Sequence, residues 1–424
     1  MIRGYQHSIQ SRLKWVLLTL LMMVVFGALS NYPVSILYVS LNTLALAVFA
    51  FFFAFLSLQS LKQAKFSRLY ILSFLILLVP VIGAFQSYKV FGQPLIYGLL
   101  SERTKLFIVS GLLIVYALER SWVSLKEIEK TMVNVGLVYF LVGFTLIMFV
   151  PKDWISDFDF ISLTQLRGYR LNINHGLYLA LYFYSLIQVM RNFRVKFLIL
   201  VILLFIYFAF IFKARALTLT VILVSLLMFF RHYSFLRILK IGTIFMLSLL
   251  FLFTISFIFL REELSVIVQL FVSAFNVFLG GEITDFSAQS RVFEYEIAKK
   301  GFLESPLFGN GFVSSRWNGG FPGMYGHFYP SDIGWIGLLF LYGLFGTLIS
   351  VLPFIFSFKF ALQKKKIENS FISALNYLYL YYFLSSLVGG YFVKKTGLLF
   401  FIFSLLYYYY YSSKKNTESI KKLD

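Results

Sequence analysis

Long unbroken apolar runs, separated by short polar and basic segments, set the pattern of this chain. A surface facing water could not accommodate such runs. Twelve of them approach the ~17–25 residues that a bilayer core requires, or fall somewhat short of it. They are Trp15–Ser30, Val34–Leu58, Leu69–Phe85, Leu106–Leu118, Thr131–Val150, Leu171–Met190, Phe197–Phe212, Leu217–Phe230, Ile241–Leu260, Trp335–Ser357, Phe371–Gly389 and Gly397–Tyr411. The pattern predicts an all-α polytopic membrane protein of about twelve transmembrane helices. Nine spans fall in residues 1–260, a large loop occupies 261–334, and three spans with a tail fill 335–424. Within the loop, Leu264–Leu279 is apolar enough to resemble another span, but a crossing there would invert the charge bias that follows it. It therefore reads as an interfacial or re-entrant helix. Ser290–Lys300 reads as a short helix stopped by Gly301, and Ser305–Gly334, rich in Gly, Pro and aromatics, as an ordered loop. No internal repeat is evident.

Composition sharpens the class. The 424 residues are 60% hydrophobic and 13% charged, against about 25% charged in soluble domains, which excludes a soluble globular enzyme. A formal net charge of +20 would fit nucleic-acid binding if the basic residues lined a groove. They lie instead in clusters between the apolar runs, the positive-inside pattern of membrane proteins. With the N terminus inside, 23 of the 38 Lys and Arg fall on one side, including Arg3, Arg12 and Lys14 and the run Lys364–Lys366. Both termini are then cytoplasmic, and loop 261–334 is extracytoplasmic. No cysteine is present, so disulfides, thiolate metal sites and cysteine nucleophiles are excluded. The first apolar run leads into a second without an A-x-A-like site, which argues against a cleavable signal peptide.

The informative charges are those on the wrong side. Arg167 and Arg170 precede one span, Lys213 and Arg215 sit in a tight hairpin between two runs, and Arg291 lies in the large loop. A lone arginine there can simply snorkel to headgroups. Several together suit a lipid diphosphate at the same level, because guanidinium binds phosphate bidentately and stays charged. No Asp or Glu lies within the predicted spans, and the loop carboxylates are not taken as a divalent-metal site. Arginines would then neutralise the charge that Mg²⁺ neutralises elsewhere. Of four histidines, His7 and His232 read as solvated and cytoplasmic. His175, at the start of a span, reads as an interhelical hydrogen-bonding group. His327, in Gly326-His327-Phe328-Tyr329-Pro330-Ser331-Asp332, suits a general base toward a sugar hydroxyl, with a structural loop histidine as the alternative. Asp332 reads either as the cap of the next helix or as a catalytic or histidine-orienting carboxylate.

The ordered set of these pieces resembles the O-antigen polymerase and ligase family. It comprises Ser290-Arg291-Val292-Phe293-Glu294, the turn Pro306-Leu307-Phe308-Gly309-Asn310-Gly311-Phe312, His327, and the entry Asp332-Ile333-Gly334-Trp335-Ile336-Gly337. Lys213-Ala214-Arg215-Ala216 resembles the family's arginine hairpin, and Arg167-Gly168-Tyr169-Arg170 with Asn174 its arginine-glycine step. The resemblance covers about 167–346; the N-terminal third matches in topology alone. It implies a metal-independent, cofactor-free glycosyltransferase of the bacterial inner membrane with its active site on the periplasmic face. Donor and acceptor would be undecaprenyl-diphosphate-linked glycans, with membrane lipid and a chain-length regulator protein as further partners. Arg215 and Arg291 match the arginines that hold the diphosphate, Arg167 and Arg170 would assist, and His327 matches the base. A Phe-Tyr-Pro-Ser-Asp stretch follows the histidine where ligases carry Asn and a Leu-rich run. The Ser-Asp-Ile-Gly form is closer to the polymerases and shifts weight to Asp332. A ligase transferring glycan to lipid A core is the alternative within the class. A lipid-linked oligosaccharide flippase is the alternative outside it.

Overall fold

The computed structural model describes residues 2–28, 33–34, 39–60, 67–149, 161–164, 168–171, 174–212, 215–233, 286–362, 369–390 and 394–420. The described chain is almost wholly helical. Helices α1 (Ile2–Val25), α2 (Leu41–Ser60), α3 (Ser67–Phe91), α4 (Leu95–Ser101), α5 (Val109–Glu119) and α6 (Leu125–Phe149) form the first half. Helices α7 (Gly176–Arg191), α8 (Val195–Ile206) and α9 (Arg215–His232) follow. The last set is α10 (Phe286–Glu304), α11 (Gly320–Tyr325), α12 (Gly334–Leu362), α13 (Ser370–Ser386) and α14 (Thr396–Ile420). Two short antiparallel ladders join helices, Pro33–Val34 with Val39–Ser40 and Ile161–Thr164 with Gly168–Leu171.

Among the described residues, three helices are long and apolar enough to cross a membrane, over Arg68–Phe91, Leu125–Leu146 and Gly334–Ser357. They coincide with three of the predicted spans. Shorter apolar helices cover Thr43–Phe52, Val195–Ala209, Ala216–His232 and Thr396–Tyr411. Their outward faces are as apolar as their inward ones. On α3, Leu72, Ile76 and Val79 are buried while Ile71, Phe74 and Phe85 stand more than half exposed. On α6, Val138 and Leu141 are exposed opposite buried Met132 and Val135. A helix apolar on both faces has lipid as its natural solvent.

Several predicted boundaries move. The span expected from Leu171 starts at Gly176, because Gly168–Leu171 is held in a ladder and the Asn174 side chain accepts a hydrogen bond from Gly176 N (3.3 Å). The span expected from Val34 becomes helical only at Leu41, after its own short ladder. The span expected from Leu106 opens with a 3-10 turn, Arg103–Ile108, before α5. Gly301 does not stop its helix: α10 runs through it to Glu304. A Cβ there would overlap the Phe340 ring, so the glycine serves close packing. The predicted elements Ile241–Leu260 and Leu264–Leu279 lie outside the described residues.

The core is a bundle in which α5 packs on α14, and α7 packs on α13 and α6. The decisive irregularity is in α12. Gly343 leaves helical geometry at φ 60°, ψ −166°, a conformation reserved for glycine. Breaking a helix within an apolar span orphans backbone groups, and another segment must satisfy them. The turn 306–311 does so by inserting beside the break. Asn310 N donates to Phe340 O and Gly311 N to Leu341 O (both 2.8 Å). In return Leu344 N donates to Pro306 O (2.8 Å) and Phe345 N to Leu307 O (3.0 Å). Gly311 lies against the Gly83 carbonyl of α3, where any side chain would overlap it. Gln93 fastens the far side of the turn, donating to Phe312 O (3.0 Å) and accepting from Ser314 N (2.7 Å).

Candidate functional site

The candidate site lies where this packed loop meets α10. Arg291 and Glu294 stand three positions apart, so the two are near neighbours on the helix, yet Arg291 is exposed and Glu294 is buried. Glu294 Oε1 accepts a hydrogen bond from Tyr329 N (3.2 Å) and stands 3.8 Å from His327 Nε2. That contact pins the backbone of the histidine turn. Phe328, wholly buried against Phe321, Tyr325 and Phe340, pins it from the other side. The imidazole itself is half exposed and meets the edge of Tyr329, with ring centres 5.1 Å apart. Burial pushes the Glu294 carboxyl above its ordinary range, and Asp332 pushes the same way. The Tyr329 amide, His327 and Arg291 pull against them. Arg291, His327 and Asp332, predicted separately from sequence, therefore converge on Glu294.

Asp332 closes a 3-10 turn, Pro330–Asp332, two residues ahead of α12. Its Oδ1 accepts from Ser331 Oγ (3.0 Å) and Lys394 Nζ (3.2 Å). The carboxylate thus pairs with a lysine beside α14, and the reading as a helix cap gives way to an ion pair across the rim. The neighbouring Lys395 is drawn down to about 8, chiefly by desolvation and then by the Lys394 ammonium.

The other predicted residues sit apart from this cluster in sequence. Arg215 is the first residue of α9, and Arg170 lies on the strand Gly168–Leu171 opposite Ser162. Arg167 lies outside the described residues. His175 immediately precedes α7, buried against the Phe212 ring at 4.8 Å. Three features escaped the sequence reading. Glu294 could have been found from its three-residue spacing to Arg291, and Lys394 from its place at a helix start. The third is a buried polar cluster. Lys105 Nζ donates to Glu102 Oε1 (2.7 Å) and to the Tyr342 hydroxyl (2.6 Å), which also donates to Glu102 Oε1. Glu102 and Lys105 looked like loop charges, yet their side chains are only 3% and 5% exposed. They are folded in beside the α12 break. No protein-family model matches this chain, and no curated protein matches it significantly in sequence.

Proposed function

We propose that this protein is a membrane-embedded glycosyltransferase that polymerises undecaprenyl-diphosphate-linked repeat units into a surface polysaccharide on the outer face of the bacterial inner membrane. The observation that carries the reading is the convergence of Arg291, His327 and Asp332 around one buried carboxylate, at the end of a loop anchored in a broken apolar helix. A diphosphate is already a good leaving group. The enzyme's work is to stabilise its departing charge and to deprotonate the acceptor hydroxyl. Exposed Arg291 suits the first task, with Arg215, Arg170 and Arg167 as further anion ligands. Half-exposed His327 suits the second. Asp332 fits a base less well than the sequence implied, because Lys394 holds its carboxylate. The reading includes twelve spans, cytoplasmic termini and an outer loop.

The test is reconstitution in liposomes with lipid-diphosphate-linked repeats, read as a ladder of polymer. Arg291→Ala and His327→Ala should abolish the ladder, and Arg291→Lys should restore only part of it. A full ladder from His327→Ala would refute the base assignment. Transfer to lipid A core without any ladder would make the enzyme the ligase. The flippase alternative draws support from the α12 break and its buried ion pair, features shared with transporters. Movement of labelled lipid-linked oligosaccharide across protein-containing vesicles, without polymer, would favour it.

A further inference from the structure

Resting on the transferase reading, we propose that Glu294 is a positioning residue that turns His327 into one half of a carboxylate–imidazole pair. The pair presents the other ring nitrogen, Nδ1, to the hydroxyl of an incoming sugar. Three observations carry this. Glu294 is almost fully buried on a rigid helix, while its partner is half exposed on a turn. The same carboxylate oxygen that faces His327 Nε2 also fixes the turn through the Tyr329 amide, so ring placement and loop conformation depend on one group. Arg291 lies three residues away on the same helix and is exposed, so α10 carries an anion ligand and a base-orienting carboxylate side by side.

The step balances simply. The acceptor hydroxyl gives its proton to His327 Nδ1 as its oxygen forms the bond to the donor's anomeric carbon. The bond from that carbon to the diphosphate oxygen breaks, and the diphosphate leaves with the electron pair. The imidazolium then faces the Glu294 carboxylate across the 3.8 Å gap, an ion-pair contact that offsets the charge the ring has gained. The groups facing Glu294 are Arg291 on its own helix, the Tyr329 amide and His327 on the turn, and Asp332 at the end of the adjoining 3-10 segment. Lys394 in turn neutralises Asp332.

The experiment uses the full chain in lipid nanodiscs, with two readouts. Carbethoxylation of His327, followed by mass spectrometry across pH, reports the imidazole without any turnover. In Glu294→Gln modification of His327 should be faster across the pH range, because the carboxylate that faces Nε2 and holds the ring is gone. Polymer formation in the same variant should lose about 10²-fold in kcat at unchanged KM for the lipid-linked donor. Glu294→Asp, which keeps the charge one methylene further back, should recover part of both. An unchanged modification profile in Glu294→Gln overturns the proposal. So does equal loss of activity in the Asp and Gln variants with a lowered thermal midpoint, which would reduce Glu294 to a folding role. If the wild type makes no polymer, the transferase reading fails while the modification profile still decides the pairing.

Discussion

Removing the Lys105 ammonium isolates a charge that the bundle holds out of solvent. In Lys105→Met the Glu102 carboxylate would keep the Tyr342 hydroxyl on Oε1 and have nothing on Oε2, which has no partner among the described residues. At 2.7 Å, two unit charges in an effective dielectric of 20 attract by about 6 kcal/mol. Part of that is offset in the native protein by the desolvation of the ammonium itself. Breaking one partner of a buried pair costs about 3–5 kcal/mol in practice, and that is the loss expected here. The double variant Glu102→Gln/Lys105→Met removes both charges and leaves an amide for the Tyr342 hydroxyl. It should therefore be markedly more stable than the single variant. The measurement is unfolding in mixed detergent micelles, titrated with a denaturing detergent, for wild type, both singles and the double. A double-mutant coupling of about 2–3 kcal/mol is expected for groups in direct contact. A loss under about 1 kcal/mol in Lys105→Met, or simple additivity in the double, would refute the argument that this pair is buried and mutually dependent.

Gly301→Ala should lower stability by about 1–3 kcal/mol, the usual result of overpacking, because its new methyl meets the Phe340 ring; a thermal midpoint within error of wild type would contradict the packing. Glu294 binds its proton more tightly in the folded state than in the unfolded one, so stability should fall as pH rises from the ordinary glutamate range to the folded value. Glu294→Gln should flatten that slope in denaturation curves taken across the acid range. Lys395 has the opposite sign: its penalty is complete below about 8 and disappears as pH climbs to the ordinary 10.5. Lys395→Met should accordingly stabilise the protein at neutral pH, with a gain that fades in alkali. Because the chain has no native cysteine, single cysteines at Asn318 and Gln363 give a clean topology test. Labelling from outside should occur at Asn318 alone, and the reverse pattern would displace the site to the cytoplasm.

Much of the site was legible because its chemistry is uncommon in an apolar chain. Arg291 stood out as a basic residue that breaks the charge pattern, His327 as a loop histidine and Asp332 as a carboxylate ahead of a helix, and the fold brings these three together. Glu294 did not stand out. A glutamate on a short polar helix reads as a solvated residue, and its burial depends on the turn at Tyr329 folding back over it. Glu102 and Lys105 were hidden for a related reason. Their surroundings in sequence are those of a loop, and the partner that completes them, Tyr342, is 237 residues from Lys105.

What the sequence alone determined is the kind of element. Runs such as those in α3 and α12 are helical because lipid offers no hydrogen-bond partner, and a helix satisfies its own backbone. That choice is local and needs no neighbour. The tertiary structure decided where a helix could be given up. Leu341-Tyr342-Gly343-Leu344-Phe345 is as apolar as the rest of its run, and no local signal beyond a glycine marks a break. Gly343 can leave the helix because residues 306–311, in the loop ahead of α12, fold back with the two donors and two acceptors that the broken backbone requires. Non-local hydrogen bonds can settle what hydropathy cannot, because in an apolar medium an unpaired amide costs more than a bent helix.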